Sequence, residues 1–454
     1  MGAERLTSLD ASFLYLETPS RHMHVAGVSV LAPRADGPLT YEQVERVVQA
    51  RIHLAPRLRQ RVVSVPFHID RPLWMDDEHF DLDFHVRRAA IPSPGGRFQL
   101  ERAVGRVLSR QLDRSKPLWE LYVYEGLEDG HTAVLMKLHH ALADGISGML
   151  IASALFDLSD HAEPGDPLPW EPEPGPSEAD MVRAAVADVI THPIEALVRI
   201  AQAPRRSLEV VGESLESLRA IVGMGAAPAG PFDATVGPNR RFATCEVPFE
   251  RLRRAKQRLG GTVNDIVLAA VAGGLHDVLE ARDEPTRGRT LRVMVPVSVR
   301  ARGQAGDVGN RVAPAFIDLP VGRMTPATRV RRIRRATAEL KASAMAVGAD
   351  SIIALGAYAP PALHATAARL VSRGHWFNLV VSNIPAPQVP LYMAGARLLA
   401  SYPAMPLGED SGLSIACTSL GGTMAFGLTA DWDAVPDIGL LAAGIDRSLR
   451  AMDP

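Results

Sequence analysis

Six prolines lie within residues 163–178 (EPGDPLPWEPEPGPSE), and this segment limits the fold more strongly than any other feature. Proline has no backbone N–H and fixes φ, so this density excludes a helix or an inner strand and predicts an exposed connector. A chain of 454 residues is also too long for one ordinary core. We therefore predict an N-terminal domain (1–162), a proline-rich and helical linker (163–240) and a C-terminal domain (241–454).

Charge balance and cysteine content argue against several classes of protein. With 49 basic and 51 acidic residues, the net charge of −2 leaves no surplus to neutralise nucleic-acid phosphates. In the arginine-rich stretch 329–335 apolar residues recur at helical spacing, and we interpret it as a solvated helix face. The two cysteines, Cys245 and Cys417, lie in alternating apolar runs, so we expect neither a disulfide framework nor a thiolate metal site, and a reducing cytoplasm fits. We expect no secretory signal and no membrane-spanning segment.

Two segments of alternating polar and apolar residues, 120–127 (ELYVYEGL) and 131–138 (HTAVLMKL), flank a Glu-Asp-Gly turn at 128–130. This pattern predicts an antiparallel hairpin. The second strand leads directly into His139 and His140, and an Asp-Gly turn then leads into a predicted helix. We therefore expect both histidines at a strand end, where a rigid scaffold can hold a side chain toward a cleft.

Helical and strand patterns mix along the rest of the chain without strict βαβ alternation. This mixture indicates an α/β fold of the mixed α+β kind, with a mixed sheet and helices in each domain, rather than a doubly wound sheet. Apolar stripes over 179–223 predict a helical linker. Helices are predicted at 40–62, 98–113, 249–259, 263–282, 326–346 and 435–452, and strands at 291–299, 311–319, 377–383, 412–419 and 423–430.

The segment from His139 to Gly145 (HHALADG) has the pattern HHxxxDG. Acyl transfer to a hydroxyl needs a base, because an alcohol is a poor nucleophile until its proton is being removed, and histidine suits this role near neutral pH. Attack on a thioester needs no enzyme nucleophile, since the thiolate of CoA is already a good leaving group. Chance would produce roughly 0.002 such patterns in a chain of this composition, although two structural histidines beside an Asp-Gly turn remain the alternative.

These residues resemble the signature of the CoA-dependent acyltransferases that have the chloramphenicol acetyltransferase fold. Within that superfamily, the chain resembles the bacterial wax ester synthase/diacylglycerol acyltransferase family over nearly its full length. One departure is Ala386, where the family usually has glycine. The further matching segments are Leu9-Asp10-Ala11-Ser12-Phe13, Phe84-His85-Val86-Arg87, Pro117-Leu118-Trp119-Glu120, Gly237-Pro238-Asn239-Arg240-Arg241, Asn264-Asp265, Gly309-Asn310 and Ser382-Asn383-Ile384-Pro385.

The resemblance implies roles for the residues of the signature. His140 would be the general base, and His139 would shape or polarise the site. Asp144 would turn away from the substrate and form a structural ion pair with an arginine, for which Arg300 at the end of a predicted strand is the candidate. Gly145 completes the catalytic signature.

Two further pairs are expected to bind substrate. Asn264 and Asp265 match a family motif thought to contribute to activity. Asn264 is interpreted either as a hydrogen-bond donor near the developing oxyanion or as the N-cap of its helix. Ser382 and Asn383 follow the apolar part of a predicted strand, where they would either line the cleft or form a turn. Trp119 is interpreted as a core residue at the start of the hairpin.

The resemblance implies two chloramphenicol acetyltransferase-like domains with a cleft between them. The expected reaction moves a long-chain acyl group from acyl-CoA to diacylglycerol, giving triacylglycerol, and also to long-chain alcohols, giving wax esters. No metal or bound cofactor is expected, because acyl-CoA is a substrate, and no nucleic acid partner is expected. Apolar stripes over 181–201 and the lipid acceptor predict a cytoplasmic protein attached peripherally to the inner membrane face or to lipid droplets.

Two other functions are open to a chain with this motif. A condensation-type domain acting on carrier-bound acyl groups shares HHxxxDG, but no carrier or adenylation segment fits in 454 residues. A non-catalytic lipid-coat protein would not need the intact His140. An assay with diacylglycerol, a long-chain alcohol and an amine as acceptors separates the three functions.

Overall fold

The computed structural model describes residues 3–142, 154–187, 225–298, 312–344 and 374–453. Strands in these ranges form one three-stranded and two six-stranded sheets. In chain order they are β1 (Ala3–Arg5), β2 (His24–Leu31), β3 (Gln60–Val63), β4 (Leu73–Asp76), β5 (Val86–Ala90), β6 (Trp119–Glu125), β7 (Thr132–His139), β8 (Arg240–Pro248), β9 (Thr290–Ser298), β10 (Val312–Pro320), β11 (Leu379–Pro385), β12 (Tyr392–Met393), β13 (Ala396–Ala404), β14 (Leu413–Leu420) and β15 (Thr423–Asp431).

Helices pack around these sheets, and the mixture confirms the predicted α+β class. The predicted helix 40–62 is too long: it ends at Arg51, and 3-10 turns then lead through Pro56 into β3, because proline cannot continue a helix interior. The helices are α1 (Ser8–Leu16), α2 (Tyr41–Arg51), α3 (Leu82–His85), α4 (Arg97–Leu108), α5 (Phe249–Leu259), α6 (Val263–Ala281), α7 (Pro326–Ala344) and α8 (Ile438–Met452).

The first of the two large sheets combines strands from both halves of the chain. The first sheet has the order β12-β13-β2-β7-β6-β5, and the second has the order β10-β9-β11-β14-β15-β8. Strands β12 and β13 come from the predicted C-terminal domain (241–454), yet β13 pairs antiparallel with β2, with Ala404 opposite Ala26. The first sheet is therefore completed by a hairpin from the second half of the chain.

The sheets meet where β13 passes β15. A Cβ atom added to Gly427 of β15 would lie 2.0 Å from the carbonyl oxygen of Pro403 in β13. Only glycine allows two backbones to approach so closely. The absence of a side chain at this position therefore sets the distance between the two sheets.

The second sheet is covered by a buried helix pair. In α6, Val267 and Leu268 are fully buried, and in α8 Leu441 and Ile445 are fully buried as well. The thiols of Cys245 and Cys417 are free and buried, in agreement with the prediction that they form no disulfide. Burial raises the pKa of the Cys245 thiol to about 12. The packing of α6 and α8 on the second sheet fixes the start of α6, which carries Asn264.

The proline-rich segment has no helix or strand over 163–177, and most of its side chains are exposed, as predicted. Trp170 attaches it to the N-terminal half: its ring lies 4.9 Å from the guanidinium of Arg59 and 6.2 Å from the ring of Phe80. The connector therefore follows the surface of this half.

Residues 178–187 are helical, and the rest of the predicted helical linker, 188–224, lies outside the described residues. Met181 and Ala185 are buried in one cluster with Val65, so this part of the apolar stripe is covered by the protein itself. Within the described ranges, no single helix has the length and hydropathy to cross a membrane, and α5 with α6 would do so only as a pair bent by 99°.

The arginine-rich face of α7 is solvated, as interpreted from the sequence, with one exception. Arg331, Arg332, Arg334 and Arg335 are exposed. Arg329 is buried, and its guanidinium donates a hydrogen bond to the carbonyl oxygen of Gly322. That side chain therefore belongs to the core edge rather than to the surface.

Candidate active site

The predicted hairpin positions the histidine pair. β6 and β7 pair antiparallel, and His139 is the last residue of β7, opposite His24 of β2. The backbone N–H of His139 donates to the carbonyl oxygen of Leu118 at 3.0 Å, and that of His140 donates to the carbonyl oxygen of Met23 at 2.7 Å. The neighbouring chain segments therefore hold both histidines at the strand end.

His139 is fully buried and its protonation state follows from its contacts. Its Nδ1 accepts a hydrogen bond from the backbone N–H of Ala141 at 3.0 Å, so the proton of the ring is on Nε2. Nε2 faces the Glu17 carboxylate, with 3.6 Å to Oε2. Burial lowers the pKa of His139, and the contact with Glu17 only partly opposes this effect. His139 is therefore a neutral imidazole whose lone pair is already in use.

Glu17 was not among the residues predicted from the sequence. Its side chain is only 2% exposed, and its carboxylate lies 3.2 Å from Nε2 of His24 and 2.6 Å from a guanidinium nitrogen of Arg114. Burial raises the pKa of Glu17, but its contacts with His139 and His24 outweigh burial and bring the pKa well below the usual range. Burial lowers the pKa of His24 to about 3, so an anionic Glu17 lies between two neutral histidines and one arginine.

A buried cation lies on the same face of β7, two residues before His139. The side chain of Lys137 is fully buried, and Nζ donates hydrogen bonds to the carbonyl oxygens of Val107, at 3.1 Å, and Arg110. Nζ is also 3.8 Å from a carboxylate oxygen of Glu120. Burial lowers the pKa of Lys137 to about 8. These contacts connect the end of α4 to the strand that carries the histidines.

His140 is only half-buried, unlike His139. Its ring stacks on Phe13, with 3.9 Å between ring centroids and 20° between ring planes. Phe13 lies on α1, whose N-terminus is capped by Thr7, since the Thr7 hydroxyl accepts the N–H of Asp10 at 3.1 Å. The family segment 9–13 thus supplies the surface on which the His140 ring rests.

Three predicted residues, Asp144, Gly145 and Arg300, lie outside the described residues. The ion pair of Asp144 with Arg300 therefore stays a prediction.

The start of α6 is capped by Thr262, so the capping role considered for Asn264 is wrong. The Thr262 hydroxyl accepts the N–H of Asp265, and the Asp265 carboxylate accepts the N–H of Thr262 at 2.7 Å. Asp265 is buried and also accepts the hydroxyl of Thr337 on α7 at 2.7 Å. Its carboxylate thus ties α6 to α7, whereas Asn264 is half-buried in the first turn.

Ser382 and Asn383 lie inside β11, which continues to Pro385, beyond the end of the predicted strand 377–383. They pair with Ala416 and Cys417 of the parallel strand β14. Ser382 is buried and Asn383 is half-buried. The alternative that this pair forms a turn is therefore wrong, and a role in substrate binding stays a prediction.

Trp119 is a core residue, as interpreted from the sequence. It is fully buried, and its Nε1–H donates to the carbonyl oxygen of Leu58 at 2.7 Å. His85, from another family segment, stacks on its ring at 4.5 Å and contacts its carbonyl oxygen through Nδ1 at 2.8 Å. Among the residues that the structure describes, no three His, Cys, Asp or Glu side chains are grouped so that they could hold a metal ion.

Two family models together match most of the chain. The family model of the wax ester synthase/diacylglycerol acyltransferase catalytic domain matches residues 6–267, and that of the family's C-terminal domain matches residues 308–453. A probable diacylglycerol O-acyltransferase of Mycobacterium tuberculosis is 34% identical over 98% of this chain and 97% of its own length.

Two solved structures share the fold. The wax ester synthase/diacylglycerol acyltransferase from Marinobacter aquaeolei VT8 superposes with a TM-score of 0.73 at 24% identity, over 99% of this chain and 98% of that one. The first condensation domain of the calcium-dependent antibiotic synthetase has a TM-score of 0.59 at 16% identity, over 100% of this chain and 97% of that one. The predicted chloramphenicol acetyltransferase-like fold is thereby confirmed. The chain belongs to the wax ester synthase/diacylglycerol acyltransferase family and is an acyltransferase.

Proposed function

We propose that the protein transfers a long-chain acyl group from acyl-CoA to the hydroxyl of diacylglycerol, and also to long-chain alcohols, with His140 as general base. The difference between the two histidines carries this proposal. His139 is fully buried and its Nδ1 lone pair already accepts a backbone hydrogen bond. His140 is half-buried at the same strand end, so it is the imidazole of the pair that can reach a bound hydroxyl.

In the proposed reaction, a ring nitrogen of His140 takes the proton of the acceptor hydroxyl while the hydroxyl oxygen attacks the thioester carbonyl carbon. The carbonyl oxygen becomes an oxyanion, to which we assign Asn264 as a hydrogen-bond donor. Collapse of this intermediate breaks the C–S bond, and the CoA thiolate takes the proton from His140. The products are an ester and free CoA, and the base is neutral again.

The supporting residues keep the roles expected from the sequence. Asp265, Ser382 and Asn383 are proposed to shape the substrate site, and Asp144 and Arg300 to form a structural ion pair. The reaction as proposed consumes acyl-CoA as a substrate and uses no metal or bound cofactor.

A steady-state assay with labelled acyl-CoA tests the base. His140→Ala should reduce turnover with diacylglycerol by at least about 10²-fold, the range for a lost general base, and His139→Ala should retain more activity. Diacylglycerol, hexadecanol and an amine serve as alternative acceptors. Product with the amine alone would favour the condensation-type reaction, and near-wild-type rates in folded His140→Ala would overturn the proposed mechanism.

We also propose peripheral attachment to the inner membrane face or to lipid droplets. Met181 and Ala185 are covered by the protein in one cluster with Val65. Phe67, close to Val65 in the chain, is 87% exposed, and Val186, which follows Ala185, is 47% exposed. Exposed apolar side chains of this kind insert into a lipid interface. Liposome flotation tests the proposal, with Phe67→Ser/Val186→Ser as the matched variant. Wild-type protein that stays in the soluble fraction with neutral and with anionic vesicles would refute it.

A further inference from the structure

We propose that Glu17 is the positioning residue of the histidine pair. Its buried anionic carboxylate orients the ring of His139, and the hydrogen bonds of His139 hold the backbone turn that orients His140. This inference rests on the proposed function only for the role of His140 as base. The arrangement of Glu17 and His139 is a separate physical claim that can be tested without turnover.

One short stretch of chain, from Phe13 to Met23, contacts both histidines or the residues beside them. Phe13 of α1 stacks on the ring of His140, and the carbonyl oxygen of Met23 accepts the backbone N–H of His140. Glu17 is the C-cap residue of α1 and lies between these two contacts in the chain. The N–H of Met23 approaches a carboxylate oxygen of Glu17 at 3.4 Å, so the carboxylate also holds the residue that binds the His140 backbone.

His139 connects Glu17 to the turn that contains His140. Its Nε2–H points toward Glu17 at 3.6 Å, and no shorter hydrogen-bond partner for this buried nitrogen exists among the residues described. Its Nδ1 accepts the N–H of Ala141, and its carbonyl oxygen accepts the N–H of Leu142 at 2.9 Å. The ring orientation of His139 and the turn that contains His140 are therefore parts of one hydrogen-bonded unit. Catalytic hydrogen bonds are often long without substrate and shorten in the complex.

The negative charge of Glu17 is buried. A carboxylate that is 2% exposed carries a desolvation cost, and a buried ion pair is a weak source of stability. The charged and titratable groups that face Glu17 are Arg114, His24, His139 and, on the same face of β7 as His139, Lys137. Arg114 pairs with the carboxylate at 2.6 Å, and the anion favours the tautomer of His139 that carries its proton on Nε2. A buried anion with a strongly perturbed pKa beside a histidine pair is typical of a functional site.

Kinetics of Glu17→Gln test the role, because this variant keeps the size of the side chain and removes its charge. We expect kcat to fall by about 10- to 100-fold, the scale for a reacting group misplaced by about 1 Å, with a smaller change in KM. Glu101→Gln is the matched control. Glu101 is a half-buried carboxylate that accepts hydrogen bonds from Thr244 on β8, and its replacement should leave kcat unchanged.

The pH profile separates positioning from loss of folded protein. Loss of the anion makes a protonated base less favourable, so the acid limb of kcat/KM should move to lower pH in Glu17→Gln. Glu17→Asp keeps the charge on a shorter side chain, and should lower kcat while the acid limb stays in place. A merely structural role would lower the rate at every pH and leave the limb where it is, and that result would overturn the proposal.

The tautomer of His139 provides a test independent of activity. In protein labelled with ¹⁵N-histidine, the signals of His139 are assigned by their loss in His139→Gln. We expect the Nε2–H tautomer in the wild type, because Nδ1 accepts the N–H of Ala141, and a shifted Nε2–H signal in Glu17→Gln, because the anionic partner of Nε2–H is lost. An Nδ1–H or doubly protonated His139 in the wild type would overturn the inference even if Glu17→Gln does not fold. If instead His140→Ala were fully active, the base assignment would fall while the tautomer result stood.

Discussion

Adding one methyl group at Gly427 should force the two large sheets apart. The new Cβ would lie 2.0 Å from the carbonyl oxygen of Pro403, well inside the 3.4 Å at which ordinary contact begins. The clash is with the backbone of a strand paired along its length, so no flexible side chain can move aside. The strands must separate by about 1 Å or more, and overpacking of this kind costs about 1–3 kcal/mol.

Thermal unfolding followed by circular dichroism measures this cost. The entropy of unfolding grows with chain length, so a chain of 454 residues loses about 1 °C in melting temperature per kcal/mol. Gly427→Ala should therefore melt roughly 1–3 °C below the wild type. Gly439→Ala is the matched control, because Gly439 lies in α8 with nothing within 4 Å of an added Cβ. It should melt at or slightly above the wild-type temperature, since alanine favours a helix over glycine. If Gly427→Ala melts like this control, the sheets do not meet as described.

Three other substitutions test the electrostatics and capping of the site. Burial lowers the pKa of Lys137 from 10.5 to about 8, so the unfolded chain binds its proton more strongly between these pH values. The free energy of unfolding of the wild type, measured in urea relative to Lys137→Met, should therefore rise by about 3 kcal/mol from pH 8 to 10.5, and a constant difference would contradict this pKa. Thr262→Ala should cost about 1 kcal/mol of stability through the lost cap, whereas Asn264→Ala should keep its stability and lose about 10²-fold in kcat. Equal stability losses in the two variants would argue against an oxyanion role for Asn264.

Local patterns of the sequence predicted those parts of the fold that depend on neighbours in the chain. The hairpin of β6 and β7 followed from alternation on both sides of a short turn, and α5 was predicted with its observed bounds. The placement of β13 in the first sheet could not be predicted, because alternation shows that a strand has two faces but not which strand it pairs with. The helix predicted at 40–62 shows the converse error, since apolar spacing continued past Arg51 although Pro56 ends helical structure.

The same distinction holds for the candidate site. His139 and His140 could be identified because the motif is contiguous in the chain. Glu17 could not, because a single acidic residue after a short helix carries no signal, and only the fold brings it to His139. Phe13 lay in a segment matched to the family, but its stacking on His140 depends on how α1 lies beneath the end of β7.

The pairing of β13 with β2 also has a consequence for synthesis on the ribosome. Once β7 has emerged, β2 can pair on one side, but its other edge waits for β13, which ends at Ala404, about 265 residues after His139. At 5–20 residues per second this interval lasts roughly 10 to 50 s. An unpaired edge invites association with other nascent chains, so the N-terminal half should need a chaperone during elongation. A fragment that stops before β8 contains the other strands of the first sheet and none of the second sheet, and it should aggregate. The addition of a peptide spanning β12 and β13 should restore its solubility.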